Sequence, residues 1–249
     1  MAGSRDASNL PRPWIAYRAA RVLGWFLTDA NYRNAALVRL ARPQNLFQPD
    51  NFTEPDRYPH LFGLAAREIG DSPETHILSF GCSTGEEVFA LRNYFPSAQI
   101  KGVDINRHNI AICKRKLVKH PDPAISFRTT GSAGDEEAEA YDAIFCMAVF
   151  RHGALGDKVR ERCDEFIRFE AFDNATADLA RSLKVGGLLF IENCHFRFRD
   201  TRAFVDFESI ARQDHRQSDG PIYDRDNRLI SELHHREVAF RKVGRNPGK

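Results

Sequence analysis

The chain has 249 residues, 42% of them hydrophobic, enough to bury one sizeable core with a modest appendage rather than two large independent domains. Charged residues make up 28%, with 36 basic against 34 acidic, which excludes a disordered tail protein, a collagen-like chain and a strongly cationic nucleic-acid coat. The longest run free of Asp, Glu, Lys and Arg covers 75–85, about half of what a membrane-spanning helix requires, so no transmembrane segment is expected.

Residues 12–42 place Ile15, Ala19, Val22, Leu23 and Phe26 at helical spacing, and a second helical stretch follows at 32–41. Arg18 and Arg21 interrupt the only candidate apolar leader core, which argues against a cleaved secretion signal; an arginine-rich transit peptide stays open. Seven arginines stand against two aspartates in residues 1–42, so the appendage is basic and the remainder slightly acidic. Four prolines between 43 and 59 withhold backbone donors and predict a linker or lid ordered by what it covers. Residues 1–60 are therefore read as a helical cap with a lid segment, and 61–249 as the main domain.

A short helix is predicted at 61–69. Apolar runs then alternate with amphipathic ones, as a parallel sheet with crossover helices requires. The expected strands are 76–80, 99–103, 125–128, 143–147 and 188–193, with helices at 86–94, 107–116 and 174–183. Gly186-Gly187 is expected to turn the chain into the fifth strand. A helix is predicted at 204–212, then a terminal hairpin turning at Asp226-Asn227 between Ile222-Tyr223 and a run closing on 238–240.

The five cysteines, Cys82, Cys113, Cys146, Cys163 and Cys194, include no C-x-x-C pair and no Cys/His cluster at zinc spacing. They predict reduced thiols, a cytoplasmic location and no metal site. His234-His235 likewise lacks a partner at metal spacing and reads as surface.

The most informative stretch is the apolar strand from His76 that enters Gly81-Cys82-Ser83-Thr84-Gly85 and opens a helix with Glu86-Glu87. This spacing is not the G-x-G-x-x-G of a dinucleotide site. Two glutamates at a helix N-terminus suit the helix dipole but repel a pyrophosphate, so a cofactor without phosphate, one carrying positive charge, fits better. The second strand ends in Gly102-Val103-Asp104, an acid where α/β nucleotide-type sites bind ribose hydroxyls.

Together these residues resemble class I S-adenosylmethionine-dependent methyltransferases, and within them the CheR-type chemoreceptor glutamate methyltransferases. Tyr141-Asp142-Ala143-Ile144-Phe145-Cys146 and Leu183-Lys184-Val185-Gly186-Gly187-Leu188 carry the likeness through the fourth and fifth strands. The resemblance spans roughly 47–193 and implies an α/β Rossmann-like sheet, mostly parallel with a terminal antiparallel hairpin, and S-adenosylmethionine as cofactor. It also implies a role for Arg57, four positions after Thr53, in pairing with the cofactor's carboxylate. By the same resemblance Gly81, Cys82, Ser83 and Gly85 line the methionine moiety, Glu86 faces its ammonium, Asp104 holds the ribose, and Ile105 or Asn106 flanks the adenine. Cys146 and Met147, ending the fourth strand, complete the expected cofactor set.

Methyl transfer needs a base only when the nucleophile must lose a proton. His152, just after the fourth strand, is the candidate; its other reading is a solvated loop histidine. Arg151 is read as orienting an anionic substrate group, and Glu192, Asn193 and His195 form a second polar cluster at the sheet's C-terminal edge. The leading expectation is methyl transfer to a small-molecule N or O nucleophile, with no nucleic acid and with a homo-oligomer open. Methylation of a protein carboxylate, as in CheR-type enzymes, and a non-catalytic module with a basic N-terminal anchor are the alternatives.

Overall fold

A computed structural model describes residues 46–48, 54, 56–157, 159–212, 220–230 and 237–244, together with isolated positions between 17 and 40. Thr53, His234-His235 and most of the two N-terminal helical stretches lie outside the described residues.

The described elements run α1 (Pro59–Ile69), β1 (His76–Phe80), α2 (Glu86–Tyr94), β2 (Gln99–Asp104), α3 (Arg107–Lys119), β3 (Ile125–Thr129), β4 (Tyr141–Met147), α4 (Gly153–Asp157), α5 (Phe169–Ser182) and β5 (Leu183–Glu192). Two 3-10 turns, Phe198–Asp200 and Arg202–Asp206, precede β6 (Phe207–Arg212), β7 (Ile222–Tyr223), β8 (Leu229–Ile230) and β9 (Glu237–Lys242). The main sheet has seven strands in the order β3-β2-β1-β4-β5-β9-β6. Strands β1 to β5 pair in parallel, and β9 lies antiparallel between β5 and β6. This is the Rossmann-like arrangement the sequence predicts.

Four features differ from the sequence reading. Residues 204–212 form the end of a 3-10 turn and then β6 instead of a helix, because Phe207, Ser209 and Ala211 pair with β9. Residues 238–240 belong to β9 in the main sheet, and Ile222-Tyr223 pairs instead with β8 in a separate two-stranded hairpin. Gly186-Gly187 is an irregularity inside β5, where the register with β4 jumps between Leu183 and Leu188. Helix α5 starts at Phe169, five residues before the expected 174, because Asn227 Oδ1 from the β7–β8 turn accepts from Phe169 N at 2.7 Å and caps it.

Both faces of the sheet are covered, which is why β1 and β4 read as continuous apolar runs. On one face α1, α2 and α3 bury Leu61, Phe62, Val88, Leu91, Phe95 and Ile110. There Phe145 and Phe190 stack with ring centroids 4.6 Å apart, and Phe62 meets Phe145 edge-on at 5.4 Å. On the other face α5 packs Phe172 against Phe150 and Phe196. Phe47 closes on Phe150 at 5.0 Å, so the segment before α1 is pinned to the core beside the C-terminal ends of β1 and β4. The five described cysteines are all unpaired and buried. No helix among the described residues is long and apolar enough to cross a membrane.

Candidate cofactor cleft

The turn after β1 is held by two backbone bonds, from Gly81 N and Cys82 N to the Val103 carbonyl, at 2.8 and 2.9 Å. Gly81, Ser83 and Gly85 all adopt positive φ, at 78°, 50° and 94°. At Gly81 a Cβ would lie 2.5 Å from Val149 Cγ2, so the backbone there approaches the loop after β4 as closely as only glycine permits. Gly81→Ala is expected to cost about 2 kcal/mol, from the left-handed conformation plus displacement of a stiff β-branched side chain. Chemical denaturation measures this, and an unchanged midpoint would show that Val149 gives way freely.

Asp104 fixes the turn from the other side. Its Oδ2 accepts from Ser83 N at 2.9 Å, and its Oδ1 accepts from Asn106 N at 2.7 Å and Asn109 Nδ2 at 3.2 Å. Burial raises its pKa above the usual carboxylate value, although those three bonds oppose the shift. One lone pair on Oδ2 remains for a ligand hydroxyl. Asn106 is occupied as the N-cap of α3, its Oδ1 accepting from His108 N at 2.9 Å, while Ile105 packs over Gly131.

The cleft itself lies between α1 and the β1 turn, and Glu54, Arg57, Tyr58, Ser83, Glu87 and Met147 are on its walls. Glu87 lines it; Glu86 does not. Glu86 turns away to pair with Lys116 of α3 and to accept from Thr84 Oγ1 at 2.6 Å. Burial works against the Glu86 charge, but the Lys116 and Thr84 bonds prevail and hold its pKa below the ordinary value. Among the described residues Glu87 has only Ser79 Oγ, which donates to Oε1 at 2.7 Å, and burial lifts its carboxyl to about 7. Cys146, by contrast with its neighbour Met147, is wholly buried in the core.

Several polar groups in the cleft are poised for a ligand. Among the described residues, Ser83 Oγ is buried without a hydrogen-bond partner. The Tyr58 hydroxyl, with the Asn193 side chain alongside, also makes no bond of normal geometry, and burial pushes it up to about 12. The Arg57 guanidinium lies 5.2 Å from the Tyr58 ring centre and senses the Glu192 carboxylate, which burial raises to about 7. Cys82 stays a neutral thiol, its pKa raised first by contact with the Cys113 thiol and then by burial.

The expected base, His152, follows β4 in the loop before α4. His152 is not among the residues on the cleft walls; its ring packs 5.0 Å from Phe166 and its Nδ1 accepts from Ala154 N at 3.3 Å. His195 is buried between two carbonyls, Pro221 O at 2.8 Å and His152 O at 3.3 Å, and burial lowers its pKa to about 4. The neutral ring has one N–H and so donates to only one of the two carbonyls, while packing between the loop after β4 and the segment entering β7.

Sequence reasoning missed Glu87 and Tyr58. The signal for Glu87 was Ser79, a lone hydroxyl in a buried apolar strand that requires a partner on the same side as α2.

The sheet order, the strand–glycine turn–helix junction and the acid ending β2 make a Rossmann-like α/β domain with its cleft at the C-terminal ends of the strands. Residues 77–187 match the family model described as "Methyltransferase domain". No curated protein sequence matches. Among solved structures, the YcgJ protein from Bacillus subtilis is similar at 17% identity, over 53% of this chain and 50% of that one, with a TM-score of 0.39. Geranyl diphosphate C-methyltransferase from Streptomyces coelicolor A3(2) is 15% identical over 53% and 42% of the two chains, with a TM-score of 0.39. Phosphoethanolamine N-methyltransferase 2 from Haemonchus contortus, in complex with S-adenosyl-L-methionine, is 18% identical over 67% and 34%, with a TM-score of 0.43. The chain thus spans half or less of the length of these proteins.

Proposed function

We propose that this chain is an S-adenosylmethionine-dependent methyltransferase acting on a small-molecule acceptor, with the cofactor's amino-acid end held between Arg57 and Glu87. The observation that carries the reading is a guanidinium and a buried carboxylate on the walls of one cleft at the glycine turn, a charge pattern complementary to an amino acid. When bound, the cofactor supplies a methyl group already activated on a sulfonium, so the chain's own task is to orient, to exclude water and to manage protons. Arg57 pairs with a carboxylate, Glu87 with an ammonium, and Ser83 Oγ and Tyr58 Oη supply the remaining hydrogen bonds. Asp104 offers Oδ2 to a ribose hydroxyl, and Ile105 lies toward the adenine.

His152 is the proton acceptor on offer for an amine or hydroxyl nucleophile; its Nδ1 is engaged by Ala154 N, so taking a proton requires that bond to open. Of the expected cap, the described residues include Phe47, which meets Phe150, and Arg57 and Tyr58, which stand on the cleft wall. Methylation of a protein carboxylate is a second reading, favoured by Arg57 standing on the cleft wall as the CheR-type resemblance implies. Transfer of methyl to acidic peptides would support it over the first.

S-adenosylhomocysteine at about a hundredfold excess over its dissociation constant should stabilise the chain by roughly 2.7 kcal/mol, read as a melting shift. Glu86→Gln should leave that shift intact, since Glu86 faces Lys116. Absence of any shift with S-adenosylmethionine or S-adenosylhomocysteine at millimolar concentration would overturn the reading.

A further inference from the structure

We propose that Arg151, gripped by Asn193, is the anion-binding residue of the methyl-acceptor subsite, so that the acceptor carries an oxyanion, a carboxylate or a phosphate; the acceptor part of this inference rests on the cofactor reading above. The guanidinium of Arg151 is half-buried, and its one side-chain hydrogen bond runs from Nη1 to the neutral Asn193 Oδ1, at 2.6 Å. Its Nε is buried and meets no acceptor among the described residues. Arg57 is close enough to repel it, and burial and that repulsion both disfavour its charge. The Glu192 carboxylate senses Arg57, whereas no carboxylate of the described residues is among the groups that act on the Arg151 charge. A half-buried cation without a counter-charge is costly to hold unless a ligand completes it.

The surroundings are built to hold this cation still. Ala148 N donates to Glu192 O and His195 N to Phe150 O, both at 2.9 Å, tying the loops after β4 and β5 together. Asn193 sits in the left-handed region at φ 54°, a conformation asparagine tolerates. Below the loop, the His195 ring packs between His152 O and Pro221 O. The Tyr58 hydroxyl, another buried donor lacking an acceptor among the described residues, adjoins the same Asn193 side chain and senses Arg151. A planar fork beside a hydroxyl donor matches a carboxylate or phosphate and holds an anion more strongly than a neutral oxygen. With Arg57 given to the cofactor, Arg151 is left for the acceptor.

The test uses the full chain, with and without saturating S-adenosylhomocysteine, titrated with inorganic phosphate and with acetate and followed by melting temperature and calorimetry. Potassium chloride at matched ionic strength is the control. The wild type should be stabilised saturably by at least one of the two anions with S-adenosylhomocysteine present. Arg151→Gln should weaken that anion at least tenfold while changing the S-adenosylhomocysteine affinity less than twofold, with Arg151→Lys in between. Should Arg151→Gln fail to fold, Asn193→Ala, which loosens the fork, should show the same selective loss. Preference for phosphate over acetate points to a phosphorylated acceptor, the reverse to a carboxylic acid. Anion effects no larger than those of chloride, or unchanged in Arg151→Gln, overturn the proposal. An Arg151-dependent anion effect without any S-adenosylhomocysteine binding would support the anion site and remove the cofactor reading instead.

Discussion

Replacing Asp104 with alanine is expected to abolish S-adenosylhomocysteine binding and to destabilise the unliganded chain by about 3–5 kcal/mol. The size of the effect follows from what the carboxylate holds. Ser83 N, Asn106 N and Asn109 Nδ2 all donate to it in a site only 8% exposed, and each would lose that acceptor. The first of these pins the glycine turn and the second sets the start of α3, so the cleft wall loosens together with the fold. Asp104→Asn separates the two roles. It keeps one oxygen acceptor but turns an amide toward backbone donors, so an intermediate stability with no ligand binding is expected. Chemical denaturation and calorimetry read the two quantities separately. An alanine variant as stable as the wild type would mean that water replaces the carboxylate without cost.

Glu87→Gln should have an effect of opposite sign on stability. Burial raises the Glu87 carboxyl from 4.5 to about 7 in the folded chain, and Glu192 to about 7 likewise. A carboxyl whose folded pKa is raised binds a proton more tightly folded than unfolded. Its stabilisation is fully present below the unfolded value of about 4.5 and is lost as pH rises through about 7. At about 1.4 kcal/mol per pKa unit, each group removes on the order of 3 kcal/mol by pH 8. Glu86 and Glu136 act the other way: burial opposes their charge, but Lys116 and Thr84 for the first, Lys101 and Tyr141 for the second, hold their pKa values below 4.5, so their stabilisation disappears in acid. The unliganded chain should therefore be most stable near about pH 5.

Glutamine mimics protonated Glu87 and still accepts from Ser79 Oγ. The variant should match the wild type at about pH 5 and exceed it by on the order of 3 kcal/mol at about pH 8, while binding S-adenosylhomocysteine at least tenfold more weakly for want of an anion opposite the ammonium. A variant less stable than the wild type at pH 8 would show that Glu87 is charged and paired without ligand. Such an exchange of stability for binding is the mark of a carboxylate kept for function.

The strands and helices between 76 and 147 were legible because buried parallel strands read as unbroken apolar runs and because α2 and α3 begin at polar turn residues. Residues 204–212 were not, since Phe204, Phe207 and Ile210 recur every three positions as in a helix. Only pairing with β9, thirty residues on, decides for a strand. The partner of Ile222-Tyr223 was lost for the same reason, a non-local pairing that turn chemistry does not encode. At the cleft, sequence singled out the glycine turn, Arg57 and Asp104 but named Glu86, where the structure puts Glu87 on the wall. Successive helix positions point about 100° apart, and the Lys116 that draws Glu86 away lies thirty residues downstream. The alternation of a strand separates Met147 on the cleft from Cys146 in the core, a signal present in the sequence once the strand's faces are known.

The proposed grip on the amino-acid end of S-adenosylmethionine is formed by Arg57 and Glu87 across one cleft. A crystal structure of the chain with S-adenosylhomocysteine tests it most directly. The ligand carboxylate is expected at the Arg57 guanidinium, its ammonium at Glu87 and a ribose hydroxyl at Asp104 Oδ2. A ligand bound away from these three residues, or crystals that stay empty at millimolar S-adenosylhomocysteine, would contradict it.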